Sequence, residues 1–145
     1  MSSITILDNA HVKLMYHTDT KIVHHIFHQT VQGEVFRNVL NEGLEVFKKY
    51  EAHKWLSDDR MNSALPEDDT LWAKTEWFPR VLEAGWQYWA LVWPPTTLAM
   101  LNLKEFIDAY RPYGLRVIVF KQAGPAMAWL ERNNMTPRIK PIAVR

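Results

Sequence analysis

The segment WQYWALVW, residues 86–93, is apolar on both faces and is closed by Pro94-Pro95. A strand with one face in water alternates apolar and polar residues, whereas this run needs cover above and below. It reads as an interior parallel strand between helical layers. LRVIVF (115–120) has the same character and is expected to be the next buried strand, beside it and running the same way. Two such strands in one chain call for crossover helices, which makes the class α/β.

The rest of the chain supplies the helices. GEVFRNVLNEGLEVFKKY (33–50) repeats apolar residues at helical spacing through Val35, Phe36, Val39, Leu40, Leu44 and Phe47. Gly43 lies on or beside that stripe, where a close helix–sheet contact would explain a residue that costs about 1 kcal/mol relative to alanine in a helix. A helix starting near Pro66 carries Glu67, Asp68 and Asp69 in its first turn, where the helix dipole favours negative charge. Leu71, Thr75, Phe78 and Leu82 trace its expected inner face, and Pro79 must kink or break it. Asn102-Leu-Lys-Glu105 resembles a capping box for a helix directing Leu103, Phe106, Ile107 and Tyr110 inward. The last helix is PAMAWLERN (125–133), with Ala126, Trp129 and Leu130 on one side.

At the amino-terminal end, ITIL (4–7), HVKLMYH (11–17) and IVHHIFHQ (22–29) read as strands, the last two forming a hairpin across Thr18–Lys21; HKWLSD (53–58) is another strand. The expected fold is therefore a mixed sheet with an antiparallel hairpin at the start, followed by a right-handed βα superhelix. Residues 1–133 form one domain, and 134–145 (NMTPRIKPIAVR) an extension rich in proline and basic residues.

The bulk numbers exclude several classes. A formal charge of +1 gives no general attraction to nucleic acid or an anionic membrane surface. With no cysteine there are no disulfides, thiolate nucleophiles or cysteine-ligated zinc. MSSITILDNA lacks the basic and apolar regions of a signal peptide, and no apolar run approaches the ~18 residues of a membrane span. A cytoplasmic location is expected.

The GEVFRNVL helix start, Asp59-Arg60 after a strand, TEWFPRVLEAG with Pro79 and Gly85, and Phe120 followed by AMAWL together resemble the STAS fold of sulfate transporters and anti-sigma factor antagonists. The closer likeness is to stand-alone bacterial antagonist-like proteins of the STAS/CRAL-TRIO-related group, and it covers roughly residues 11–133. The resemblance implies a non-enzymatic regulatory or protein-interaction module, and for the wider relatives a lipid- or small-ligand-binding role.

In antagonists of that type, phosphorylation of a serine at a helix start is the switch. The corresponding region here is KWLSDDRMNSALPEDDTLW (54–72), which offers Ser57, Asp58, Asp59, Arg60 and Ser63 as partner-binding or phospho-switch candidates. No glycine lies between Gly43 and Gly85, so the tight Asp-Ser turn of the antagonists is missing. A phosphate on Ser63 would face Glu67, Asp68 and Asp69 with only Arg60 near in sequence. No recognisable phosphoserine switch is expected. Asp58 and Asp59, adjacent on extended backbone, point to opposite sides and do not converge on a metal. The acidic cluster 67–69 is accounted for by the helix dipole.

The hairpin register that pairs His17 with Ile22 sets His11, His17, His24 and His28 on one sheet face with Lys13 and Ile26. Only the cross-strand pair His11–His28 could then chelate, with no third ligand, so no metal or other cofactor is expected. His25 falls on the core face as a hydrogen-bonded residue.

The seven tryptophans need a reason. Trp55, Trp89 and Trp129 sit in apolar surroundings as core. Trp72 and Trp77, five apart, do not share a face of a regular helix, which leaves one near the surface. Trp72, Trp77, Trp93 and Leu98 are candidates for an apolar ligand pocket or an interface, including that of a homodimer. Seven indoles leave little volume for a pocket, which favours a protein partner over a ligand. There is no nucleophile elbow, glycine-rich phosphate loop, HExxH or paired nucleophile and base, and no catalytic residue is assigned.

Overall fold

The computed structural model describes residues 2–133. The segment expected to be an interior strand is one: β5 (Tyr88–Val92) is buried at every position. It lies third in a run of four parallel strands that begins at β3 (Ile22–Phe27) and continues through β4 (Lys54–Asp58) and β5 to β6 (Arg116–Phe120). Ahead of them, β1 (Ser3–Asp8) and β2 (Val12–His17) pair antiparallel with each other, and β2 with β3. The spatial order of the six-stranded sheet is the order of the sequence. The hairpin register matches the expected one, His17 opposite Ile22 and Met15 opposite His24.

Three helical connections cover one face: α1 (Gly33–Tyr50), the pair α2 (Glu67–Trp72) and α3 (Phe78–Glu83), and α4 (Thr97–Tyr110). Their inward residues, such as Phe36, Val39, Phe47, Phe78, Phe106 and Tyr110, join Leu14, Val23, Phe27, Trp55, Trp89 and Val117 of the sheet in the main core. On the other face α5 (Ala123–Arg132) alone buries Ile22, Leu56, Ala90 and Val92 beneath Ala126 and Leu130. Fully removing the larger of these side chains, such as Ile22, Leu56 and Leu130, from water is worth about 1.5–3 kcal/mol each.

Four expectations change. β6 runs parallel to β5 as expected, with Ala90 opposite Ile118, but it is the edge strand, and Arg116 and Ile118 are exposed. Helix α4 begins a turn and a half earlier than the Asn102 signal suggests, because Thr96 is its cap, its hydroxyl accepting from Ala99 N at 3.1 Å. Asn102 instead bonds sideways, accepting from Leu65 N (3.0 Å) and donating to Thr70 Oγ1 (3.0 Å).

The third and fourth changes share a cause. Pro79 neither breaks nor ends its helix: residues 67–83 run on through a π-helical turn, Ala73–Trp77, between α2 and α3. Proline cannot donate to the carbonyl four residues back and crowds the preceding turn, and the wider turn relieves this. Phe78 N donates to Ala73 O, five residues back. The extra residue shifts the phase of the helix. Leu71 and Thr75 face outward, while Ala73, Trp77, Phe78 and Val81 are buried. Trp72 and Trp77 consequently both face α1, where Trp72 meets Phe36 edge-on and Trp77 donates to Leu40 O at 2.8 Å.

Candidate functional site

The parallel strands end under the three crossover helices, the place where α/β sheets collect ligands. On the inner face of the sheet, β3 presents His25 directly opposite Ser57 of β4. Each is held by an indole. Trp55 Nε1–H donates to His25 Nδ1 (2.9 Å), and Trp89 Nε1–H donates to Ser57 Oγ (2.8 Å). The other imidazole nitrogen, Nε2, lies 2.8 Å from Asp59 Oδ1. An indole can only donate, so Nδ1 carries no proton and the ring is the neutral Nε2–H tautomer, donating to Asp59. His25, Ser57 and Asp59 are all buried.

Backbone contacts fix the loop that brings Asp59 there. Asn62 N donates to Asp59 O (3.0 Å), and the buried Asn62 side chain accepts from Val31 N (2.9 Å). Asn102 then ties the loop to α4 through Leu65. The acidic residues that follow are also structural, but not through their own helix dipole alone. Asp69, on α2, accepts from Gly33 N (2.7 Å) at the start of α1 and from Arg37 Nε (2.9 Å).

Above the His25–Asp59 pair lies a cavity of about 60 Å³. Its walls are largely aromatic, with Trp55, Trp77, Trp86 and Trp89 joined by Phe106 and Tyr110. The indoles meet edge-on or tilted, Trp55–Trp77 at 5.5 Å, Trp77–Trp86 at 5.4 Å and Trp86–Trp89 at 5.3 Å between centroids. Rings crossed in this way do not close on one another as flat stacks do. The indoles that were expected to leave no room therefore wall the space instead of filling it. A volume of this size exceeds the ~10–15 Å³ one water needs, and suits a small molecule.

Of the residues singled out from sequence, Ser57, Asp59, Ser63 and Trp77 line this cavity, Ser63 at its exposed end. Asp58 points to the opposite side of the sheet, where Arg60 donates to it twice (2.9 and 2.6 Å). Burial alone would raise the Asp58 carboxyl, but the Arg60 hydrogen bonds and charge together outweigh it and hold the group below its usual range. Trp72 is half-buried beneath the Arg37 guanidinium. Trp93 (45% exposed) and Leu98 (67%) stand on the surface and do not line the cavity.

His25 is the hydrogen-bonded core residue expected, and also the centre of the polar cluster, which sequence reasoning missed. The signal was its place between Val23 and Phe27 on a core face: a polar residue there must find partners, and the nearest stretch rich in them is residues 57–62. On the other face of the sheet, His17 Nε2 and His24 Nδ1 share a hydrogen bond of 3.0 Å. His24 Nε2 is buried without a partner among the described residues. Burial first, then the neighbouring histidines, push the His24 imidazole down to about 3. No group of three or more His, Asp or Glu side chains among the described residues is arranged to hold a metal ion.

No helix among the described residues is long and apolar enough to cross a membrane. No protein-family model matches the chain, and neither a curated protein nor a solved structure is detectably similar to it.

Proposed function

We propose that this chain is a non-enzymatic, STAS-like binding module whose working end is the carboxyl end of β3–β5, where it takes a small, largely apolar molecule. The observation that carries this is the aromatic cavity with a few fixed polar groups at its floor, the usual make-up of a ligand site. A binding role is preferred over catalysis because no hydroxyl meets a free base. Both nitrogens of His25 are engaged, and Ser57 Oγ accepts from an indole, so no base addresses the hydroxyl.

Titration of the intrinsic tryptophan fluorescence with 1-butanol tests the cavity. The expected result is a saturable change that disappears in Ala99→Met, which fills the space from the first turn of α4. Equal responses from the two proteins would mean adsorption elsewhere and would overturn the assignment.

A regulatory contact with a protein is the second reading, and exposed Met61, Trp93, Leu98 and Leu101 favour it, all at the same end of the sheet. Size-exclusion chromatography with light scattering tests the simplest partner, a second copy. A dimer that Leu98→Glu dissociates would support it, and a monomer at every concentration would remove it.

A further inference from the structure

Asp59 is a buried carboxylate that no cation balances within the described structure. Its Oδ1 accepts from His25, which is neutral because the Trp55 indole occupies Nδ1 as a donor. Asp59 Oδ2 takes no hydrogen bond among the described residues. The guanidinium next to it in sequence, Arg60, is turned to Asp58 on the other side of the strand, and Arg37 is committed to Asp69. The Asp59 side chain is 11% exposed and lines the cavity together with four indoles.

A buried charge of this kind is costly unless it is paired. Most of that cost is met when the protein folds, not when a ligand arrives, so a cation entering the cavity finds an acceptor with little water left to lose. The aromatic walls add to the preference, since ring faces attract an ammonium group and the attraction grows once water is excluded. An anion would meet the same carboxylate and be repelled. A neutral molecule gains only the burial of its apolar part.

We propose that the ligand of this cavity is a small organic cation, an alkylammonium whose charged head lies against Asp59 Oδ2 and whose apolar part lies among Trp55, Trp77, Trp86 and Trp89. The proposal rests on the cavity reading above and adds the charge of the occupant. It also assigns Asp59 the role of choosing that charge, with Trp55 acting on it through His25: by occupying Nδ1, the indole keeps the imidazole from neutralising the carboxylate itself.

Three probes of equal heavy-atom count, n-butylammonium, 1-butanol and propionate, separate the possibilities at constant ionic strength, read by tryptophan fluorescence and by isothermal titration calorimetry. The expected order is n-butylammonium at least tenfold tighter than 1-butanol, with no binding of propionate. Asp59→Asn should erase the difference between the first two. Ala99→Met should abolish n-butylammonium binding, and it keeps the test decisive if Asp59→Asn does not fold. If 1-butanol binds as well as n-butylammonium, the charge assignment falls while the cavity stands. If n-butylammonium binds with preference but Ala99→Met leaves it unchanged, the cation sits elsewhere and the proposal is overturned. If none of the probes binds, the cavity reading falls with it.

Discussion

Gly43 of α1 lies against the indole of Trp55 so closely that a Cβ on it would come within 3.0 Å of three ring carbons. The contact sets the depth at which α1 rests on the sheet. It also holds the ring whose N–H fixes the His25 tautomer. Gly43→Ala therefore opposes two effects. The helix gains about 1 kcal/mol in propensity, but overpacking a rigid, buried ring costs typically 1–3 kcal/mol. Because Trp55 is 1% exposed and is flanked by Phe47, Trp77 and Trp86, it can yield only toward the cavity, at the expense of its bond to His25. The expected outcome is a net loss of about 1–2 kcal/mol, seen as a lower urea midpoint with an unchanged slope.

Asp69 is 1% exposed and serves two partners on another helix, the first amide of α1 and the Arg37 guanidinium. Asp69→Ala leaves both unanswered. Breaking a fully buried ion pair costs about 3–5 kcal/mol, but the Arg37 side chain is 29% exposed and can turn to water, so the expected loss is nearer to about 2–3 kcal/mol. Asp68→Ala is the control. That carboxylate is 81% exposed, stands 3.7 Å from Arg37 and accepts only from the neighbouring Asp69 N, so its loss should cost under about 1 kcal/mol.

Both contacts show what the sequence could and could not reveal. The strands, the hairpin register and the parallel course of β5 and β6 follow from alternation, apolar runs and turn residues, which act over a few positions. Gly43 was legible for the same reason, as a costly residue on a buried stripe. The acidic cluster was not. Three carboxylates at a helix start are explained locally by the dipole, and nothing in the spacing says that one of them reaches across to cap another helix. A regular helix on both sides of Pro79 gives residues 67–83 the wrong phase. The π-helical turn moves Trp77 inward and Leu71 and Thr75 outward. The cavity depends on how four indoles cross, which is a property of packing and not of spacing.

Ser57 is buried, and its hydroxyl is the only hydrogen-bond acceptor of the Trp89 indole among the described residues. Ser57→Ala should cost about 1–3 kcal/mol, the usual penalty for a buried donor left without a partner. Ser57→Thr keeps the oxygen but adds a methyl at the cavity floor. It should retain most of the stability and weaken 1-butanol binding. Thermal melts and the same fluorescence titration read the two variants.

His24 on β3 has its proton affinity pushed down from 6.5 to about 3, by burial first and then by His17 and His25. His17 is lowered in the same direction, by burial first, against the opposing charges of Asp19 and Glu131. In the unfolded chain such imidazoles take up a proton as the pH falls through 6.5, whereas folded His24 does not until about pH 3. Protons therefore favour the unfolded state across that interval, and the stability present at neutral pH declines as the pH falls. The slope contributed by one such group is about 1.4 kcal/mol per pH unit inside the window. Asp58, held below 3.8 despite its burial by the Arg60 contacts, keeps its contribution until the acid end of the same range, so it does not account for a loss between pH 6 and 4. Urea unfolding at pH 7, 6, 5 and 4 should show the decline in the wild type. His24→Leu, which removes the titrating group and the unpartnered Nε2 together, should flatten it by close to one proton's worth without lowering stability at pH 7. An unaltered slope in the variant would place the proton uptake elsewhere in the chain.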